Sequence, residues 1–172
     1  MNAQVRAKVS RAVSDMKNIA TALEMYHIDN NGYPMARSNP IINQTGQIRL
    51  SARFYPLTTP VAYMSSVPTD PFFNDLMEVD PDFFDTYDYF DNWSTVNFDN
   101  GVPGSGTRGF SWRLASAGPD GIQCWGGLNC NKEGRTGIDY DTSNGVVSSG
   151  DVVTVGGTVV NAEFVVTYPL RN

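Results

Sequence analysis

The chain has little of what catalysis or metal chemistry usually needs. Its 172 residues include one histidine and two cysteines. Neither a G-x-S-x-G elbow nor a G-x-x-x-x-G-K-[ST] phosphate loop occurs, so nucleophilic hydrolysis and phosphate-loop nucleotide binding lack their parts. Zinc at Cys124 and Cys130 would need two further thiol or imidazole ligands, and His27 alone is available, on a helix. No run approaches the ~20 apolar residues of a membrane span, so the chain as given is expected to be soluble. Between Asp70 and Asp99 there is no Lys or Arg, against nine of the eighteen acidic residues. With a net charge of -6, no nucleic-acid partner is expected, because binding by a basic face needs the opposite balance. A carboxylate pair for glycoside hydrolysis could be drawn from any such acidic stretch. The expectation is a protein that is not an enzyme.

What is present starts with a periodic opening. Val5, Val9, Ala12/Val13, Met16, Ile19/Ala20, Leu23 and Tyr26 recur at steps of three and four, which lays one apolar stripe along a helix. Arg6, Lys8, Arg11, Asp15, Lys17, Asn18 and Glu24 fall largely off the stripe. Asn30-Asn31-Gly32 offers residues that tolerate left-handed dihedrals, and Pro34 follows, so the helix is expected to stop there. No Ser, Thr or Asp cap precedes Val5. The pattern reads as a helix cut within a longer one, with Met1 standing where an N-terminal segment has been removed.

Residues 34–100 form a connecting region. A short helix over Pro60–Met64, or an extended segment packed on the long helix, follows Phe54–Pro60. The two prolines of Val67-Pro68-Thr69-Asp70-Pro71-Phe72 force extended or turned backbone, with Phe72 and Phe73 as anchors. Residues 74–100 mix the acidic cluster with aromatics, and Thr86–Phe90 suits a strand. Its aromatics read as core more readily than as a binding patch. From Gly101 the texture changes, since fourteen of sixteen glycines lie between Gly101 and Gly157. Phe110–Ser116 alternates and reads as a strand, and Ala117–Gly121 is a turn by composition. Val152–Val155 and Val159–Thr167 flank Gly156-Gly157 and read as a hairpin. The fold class is therefore α+β, a long N-terminal helix packed on an antiparallel sheet. The division is a helical spine over 1–33, the connection with its acidic-aromatic lobe over 34–100, and a Gly-rich β region over 101–172, all one head.

Cys124 and Cys130 are expected to close a short disulfide in an oxidising compartment, with an entropic contribution of about 2 kcal/mol or less. Asp139, Asp141, Asn144, Gly145 and Asp151 partly mimic a calcium loop, with the glycine one residue late. Asp and Asn as plain turn formers account for the same residues.

Three segments, in order, resemble the type IV pilin-like proteins, especially the major pseudopilins of type II secretion systems. The helix from Val13 to the Asp29-Asn30-Asn31-Gly32-Tyr33-Pro34 turn is similar to the family's helix ending in "LDNGRYP". Val67–Phe72 is similar to "LPxDPW/F", and Ser116–Gly121 to "SxGxDG". The family's apolar half-helix and cleavage signal are absent, and the 74–100 insert, the cystine and the tail beyond Asp151 are additions. The resemblance implies a structural subunit of a pseudopilus or pilus-like filament. Its partners would be other pilin or pseudopilin subunits and, through the missing N-terminal segment, the bacterial inner membrane, with the head periplasmic or extracellular. It also implies one calcium, held by Asp120 and Asp139 or Asp141, with the Leu114 carbonyl or Ser116 hydroxyl in support. The competing reading is an extracellular carbohydrate- or protein-binding module using the acidic-aromatic lobe. On the filament reading, Val5 and Val9 should be less buried than Leu23 and Tyr26.

Overall fold

The computed structural model describes residues 3–37, 49–72, 84–98, 106–123, 139–141 and 150–160. One helix, α1 (Ala3–Asn30), spans 28 residues, about 42 Å at 1.5 Å per residue. It ends as its sequence dictates. Asn31 takes a left-handed φ of 53°, its N–H donates to the His27 carbonyl at 2.8 Å, and the glycine and proline beyond turn the chain back.

Among the described residues the sheet has three antiparallel strands, β1 (Asp88–Asp91), β2 (Phe110–Ser116) and β3 (Val152–Val159), in the order β1-β2-β3. Tyr89 faces Leu114 across one ladder and Leu114 faces Thr154 across the other. The stripe of α1 buries Ala12, Met16, Ile19, Ala22 and Leu23 in one cluster with Tyr87, Tyr89, Trp112 and Leu114. This is the α+β arrangement that the sequence predicts.

Three local expectations need correction. Gly156-Gly157 is not a hairpin turn, because β3 runs straight through both residues to Val159. The register slips between Phe110 and Trp112, and Gly157 supplies the φ of +76° there, so the glycines make a β-bulge. Residues 161–172, the rest of the expected second strand, lie outside the described residues. Pro60–Met64 forms bends rather than a helix. The helical turn comes earlier, as a 3-10 helix over Leu50–Leu57, and Tyr63 and Met64 donate their N–H groups to the Leu57 carbonyl. The alternative of a segment packed on the long helix holds, with the Tyr63 ring edge-on to Tyr26 at 5.5 Å. Finally, the expected strand begins at Asp88 and is followed by a helix, α2 (Asn92–Phe98). Asp91 starts it by accepting the Ser94 N–H at 3.0 Å, the bond of an N-terminal cap.

Candidate functional site

The seam between helix and sheet is built from hydroxyls. The helix carries three carboxylates, Asp15, Glu24 and Asp29, and each accepts a tyrosine O–H at 2.9 Å, from Tyr87, Tyr33 and Tyr63 respectively. The second oxygen of Glu24 accepts the indole N–H of Trp112 at 2.9 Å. Tyr33 stacks on His27 with centroids 4.4 Å apart and planes at 8°. The two bulge glycines let this seam close. A Cβ on Gly156 would fall inside the Trp112 ring, and one on Gly157 would meet the Tyr33 hydroxyl at 2.7 Å. Burial, then the bond to Glu24, pushes the Tyr33 phenol up to about 12. Tyr87 is raised as well, by burial first and then by the charges of Asp70 and Asp15.

Asp70 joins two of the sequence motifs. Its carboxylate accepts the N–H of Phe72 at 2.9 Å, the hydroxyl of Ser116 at 2.9 Å and the N–H of Ala117 at 3.1 Å. The Val67–Phe72 segment is thereby tied to the Ser116–Gly121 turn. Burial raises the Asp70 carboxyl against the lowering effect of these three bonds. Sequence reasoning missed this junction, although an Asp whose carboxylate accepts the N–H two residues on is the signature of an Asx turn. Inside the sheet, Asp88 bonds the buried guanidiniums of Arg53 and Arg113, the latter at 2.7 Å. Burial pushes Asp88 up, but Arg113 and then Arg53 outweigh it and hold the carboxyl below its ordinary range.

Along α1 the burial is uneven. None of residues 3–11 is buried, whereas five are between Ala12 and Leu23. Arg6, Arg11 and Lys17 are exposed, and farther along Met25 and Ile28 join them, Ile28 with 79% of its surface open. Val5 and Val9 are half-buried and Leu23 is fully buried, in the expected order. Tyr26 departs from that order and is half-buried like the valines, because it packs at the rim against Tyr63. In the acidic-aromatic lobe, Phe84, Tyr87, Tyr89 and Phe90 are core, and Trp93 is exposed. Phe72 is buried as an anchor. Phe73, Phe83 and the acidic residues from 75 to 82 lie outside the described residues.

The expected calcium donors are placed as follows. Leu114 sits in the central strand, paired on both sides, so its carbonyl belongs to the ladder. The Ser116 hydroxyl donates to Asp70. The two oxygens of Asp120 accept the N–H groups of Ile122 at 3.1 Å and Gly150 at 3.0 Å, and burial raises its carboxyl. Asp139 bonds the Arg108 guanidinium at 2.7 Å, and Asp141 is half-buried beside it in sequence. Among the described residues no three His, Cys, Asp or Glu side chains are grouped as a metal ion requires. A hard divalent cation takes six to eight oxygens, more than the described side chains bring together. The Cys124–Cys130 expectation falls outside the described residues.

Comparison with known proteins gives one finding. The family model described as type II secretion system (T2SS), protein G matches residues 1–95, a stretch that runs from α1 through the Asp70 segment and β1 into α2. No curated protein and no solved structure matches the chain. The match covers more than half of the sequence and the long helix with its sheet agrees with a pilin-like fold; the chain belongs to the type II secretion protein G family, the major pseudopilins.

Proposed function

We propose that this chain, a structural subunit of type II secretion by its family, assembles with other subunits through the N-terminal part of α1. On this reading the helix continues into an apolar segment that anchors the subunit in the inner membrane, leaving the head on the far side. One observation carries the reading: the helix that supplies five core residues from Ala12 to Leu23 has none fully buried over residues 3–11. A helix of that length whose first third is only partly covered, at Val5, Lys8 and Val9, is a shaft with a surface to spare, since helix stability in proteins comes from packing an apolar face. The rival binding-module reading finds no such support, as Trp93 is the exposed aromatic among those described between 84 and 93. A Cys124–Cys130 disulfide belongs to the same proposal, and thiol alkylation before and after reduction tests it.

The test of assembly is Ala7→Glu in the full-length protein, expressed in a strain lacking the wild-type gene. Ala7 is exposed, so the thermal midpoint of the head should stay within about 1 °C, as is usual for surface positions. Filament formation and secretion should fall at least tenfold. Full secretion by Ala7→Glu and by a matching Ser10→Glu would overturn the proposal.

A further inference from the structure

In its first third, α1 meets the head through a cation. The helix is partly covered there at Val5, Lys8 and Val9, and Val9 packs at the edge of the core cluster. The Lys8 ammonium stands over the Phe72 ring, 5.3 Å from its centre, within the range of a cation–π contact. Phe72 itself is buried. What Lys8 grips is fixed to the sheet. Asp70 and Phe72 are joined in one turn by the Phe72 N–H, and the same carboxylate accepts the Ser116 hydroxyl and the Ala117 N–H at the end of β2. Those three donors are neutral. Burial raises the Asp70 carboxyl, the three bonds lower it, and the charge that adds to them is that of Lys8.

The neighbouring groups continue the pattern. Tyr87, just before β1, feels the Asp70 charge and donates its O–H to Asp15, whose carboxylate also pairs with Arg11 at 3.6 Å. Cation and carboxylate on the helix thus each meet their complement on the head, Lys8 at Asp70 and Asp15 at the Tyr87 hydroxyl.

We propose that Lys8 is the positioning residue of the helix: by holding the Phe72 face beside the Asp70 carboxylate, it sets the direction in which the first third of α1 leaves the head. Ala12 is the first fully buried residue of α1, so the grip before it falls to Val5, Lys8 and Val9. Valine contacts have no preferred direction, since the hydrophobic effect is non-directional. A cation over a ring face and next to a carboxylate has one place to sit. The use of this latch in assembly rests on the filament reading above, in which subunits can be laid at one angle only if every shaft leaves its head at one angle. The latch itself is a property of the single head.

The experiment compares the 172-residue chain with Lys8→Met, which keeps the stem and loses the charge, Lys8→Arg, which keeps the charge, and Lys17→Met, a control at an exposed lysine of the same helix. Amide hydrogen exchange is read over residues 7–11, the first whose N–H groups can bond within the helix. Lys8→Met should speed it about fivefold, the size of effect a cation–π contact supplies. Residues 12–23 should keep their protection, and the thermal midpoint should move by less than about 2 °C, as for a residue at the surface. Carbon NMR of Asp70 should show its titration moving upward in Lys8→Met, because the cation that favours its charged form is gone; lost packing alone would leave it in place. Lys8→Arg should restore both readouts, and Lys17→Met should change neither. Unchanged exchange over residues 7–11 in Lys8→Met, an equal rise in Lys17→Met, or an Asp70 titration that stays put would each overturn the proposal. These readouts need no filament, so the latch and the assembly reading fail separately: Ala7→Glu tests the second, Lys8→Met the first.

Discussion

Carboxylates in this molecule are held in two different ways. Asp88, the first residue of β1, is clasped by two cations, Arg53 and Arg113, all three buried. Asp15, Glu24 and Asp29, on the helix, are held by the hydroxyls of Tyr87, Tyr33 and Tyr63. In the sheet a charge is matched by charge because no water reaches it, and an unmatched ion there is very expensive. At the seam the carboxylates keep access to solvent, so neutral donors suffice to orient them. The first arrangement makes the sheet all-or-none; the second fastens a long helix by several modest bonds, each separately dispensable.

The contrast can be broken most violently at Asp88. Asp88→Asn leaves two buried guanidiniums facing a neutral amide, and should lower unfolding free energy by about 4 kcal/mol, read by denaturant titration. Next comes the bulge. Gly156→Ala drives a methyl group into the Trp112 ring, with an expected loss of about 2 kcal/mol from overpacking and a shift in Trp112 fluorescence as its bond to Glu24 breaks. Glu24→Gln alone should be milder, about 1 kcal/mol, because one acceptor oxygen survives. If Glu24→Gln proved as damaging as Asp88→Asn, the distinction between the two arrangements would fail.

The smallest effect is in pH. The Tyr33 phenol is raised to about 12 in the folded state from about 10 when unfolded. Its stabilisation is then whole below pH about 10 and is lost as pH climbs toward 12, since the unfolded chain releases the proton first. Tyr33→Phe should flatten that part of the stability profile. Asp88 works at the opposite end of the scale. Its lowered carboxyl contributes above the ordinary carboxylate range, near pH 4, and that contribution fades as acid titrates the folded group.

How much of this was legible in the sequence depended on whether the cause was local. The Phe110–Ser116 strand and the Asn30–Pro34 helix stop were readable because alternation and left-handed tolerance are properties of adjacent residues. Gly156-Gly157 was misread for a physical reason: a tight turn and a bulge both call for a residue without a Cβ, and only the ring of Trp112, 44 positions away, distinguishes them. The helix α2 escaped notice because it is short and its cap, Asp91, was one acidic residue among many. The 3-10 helix over Leu50–Leu57 was hidden by Arg53, a charge in its middle that reads as surface until Asp88 appears beside it. Contacts such as Asp70 with Ser116, or Arg108 with Asp139, join residues dozens of positions apart, and no local pattern records them.

Hydroxyl fastening of the helix has a consequence for how such a subunit would behave in brine. A phenol–carboxylate joint has no pair of opposite charges for dissolved ions to screen, so raising ionic strength should leave each head intact. Contacts made by the outward Arg6 and Lys17 with acidic neighbours would weaken under the same treatment. An assembly held by such contacts would therefore dissolve into whole, folded units rather than into denatured protein.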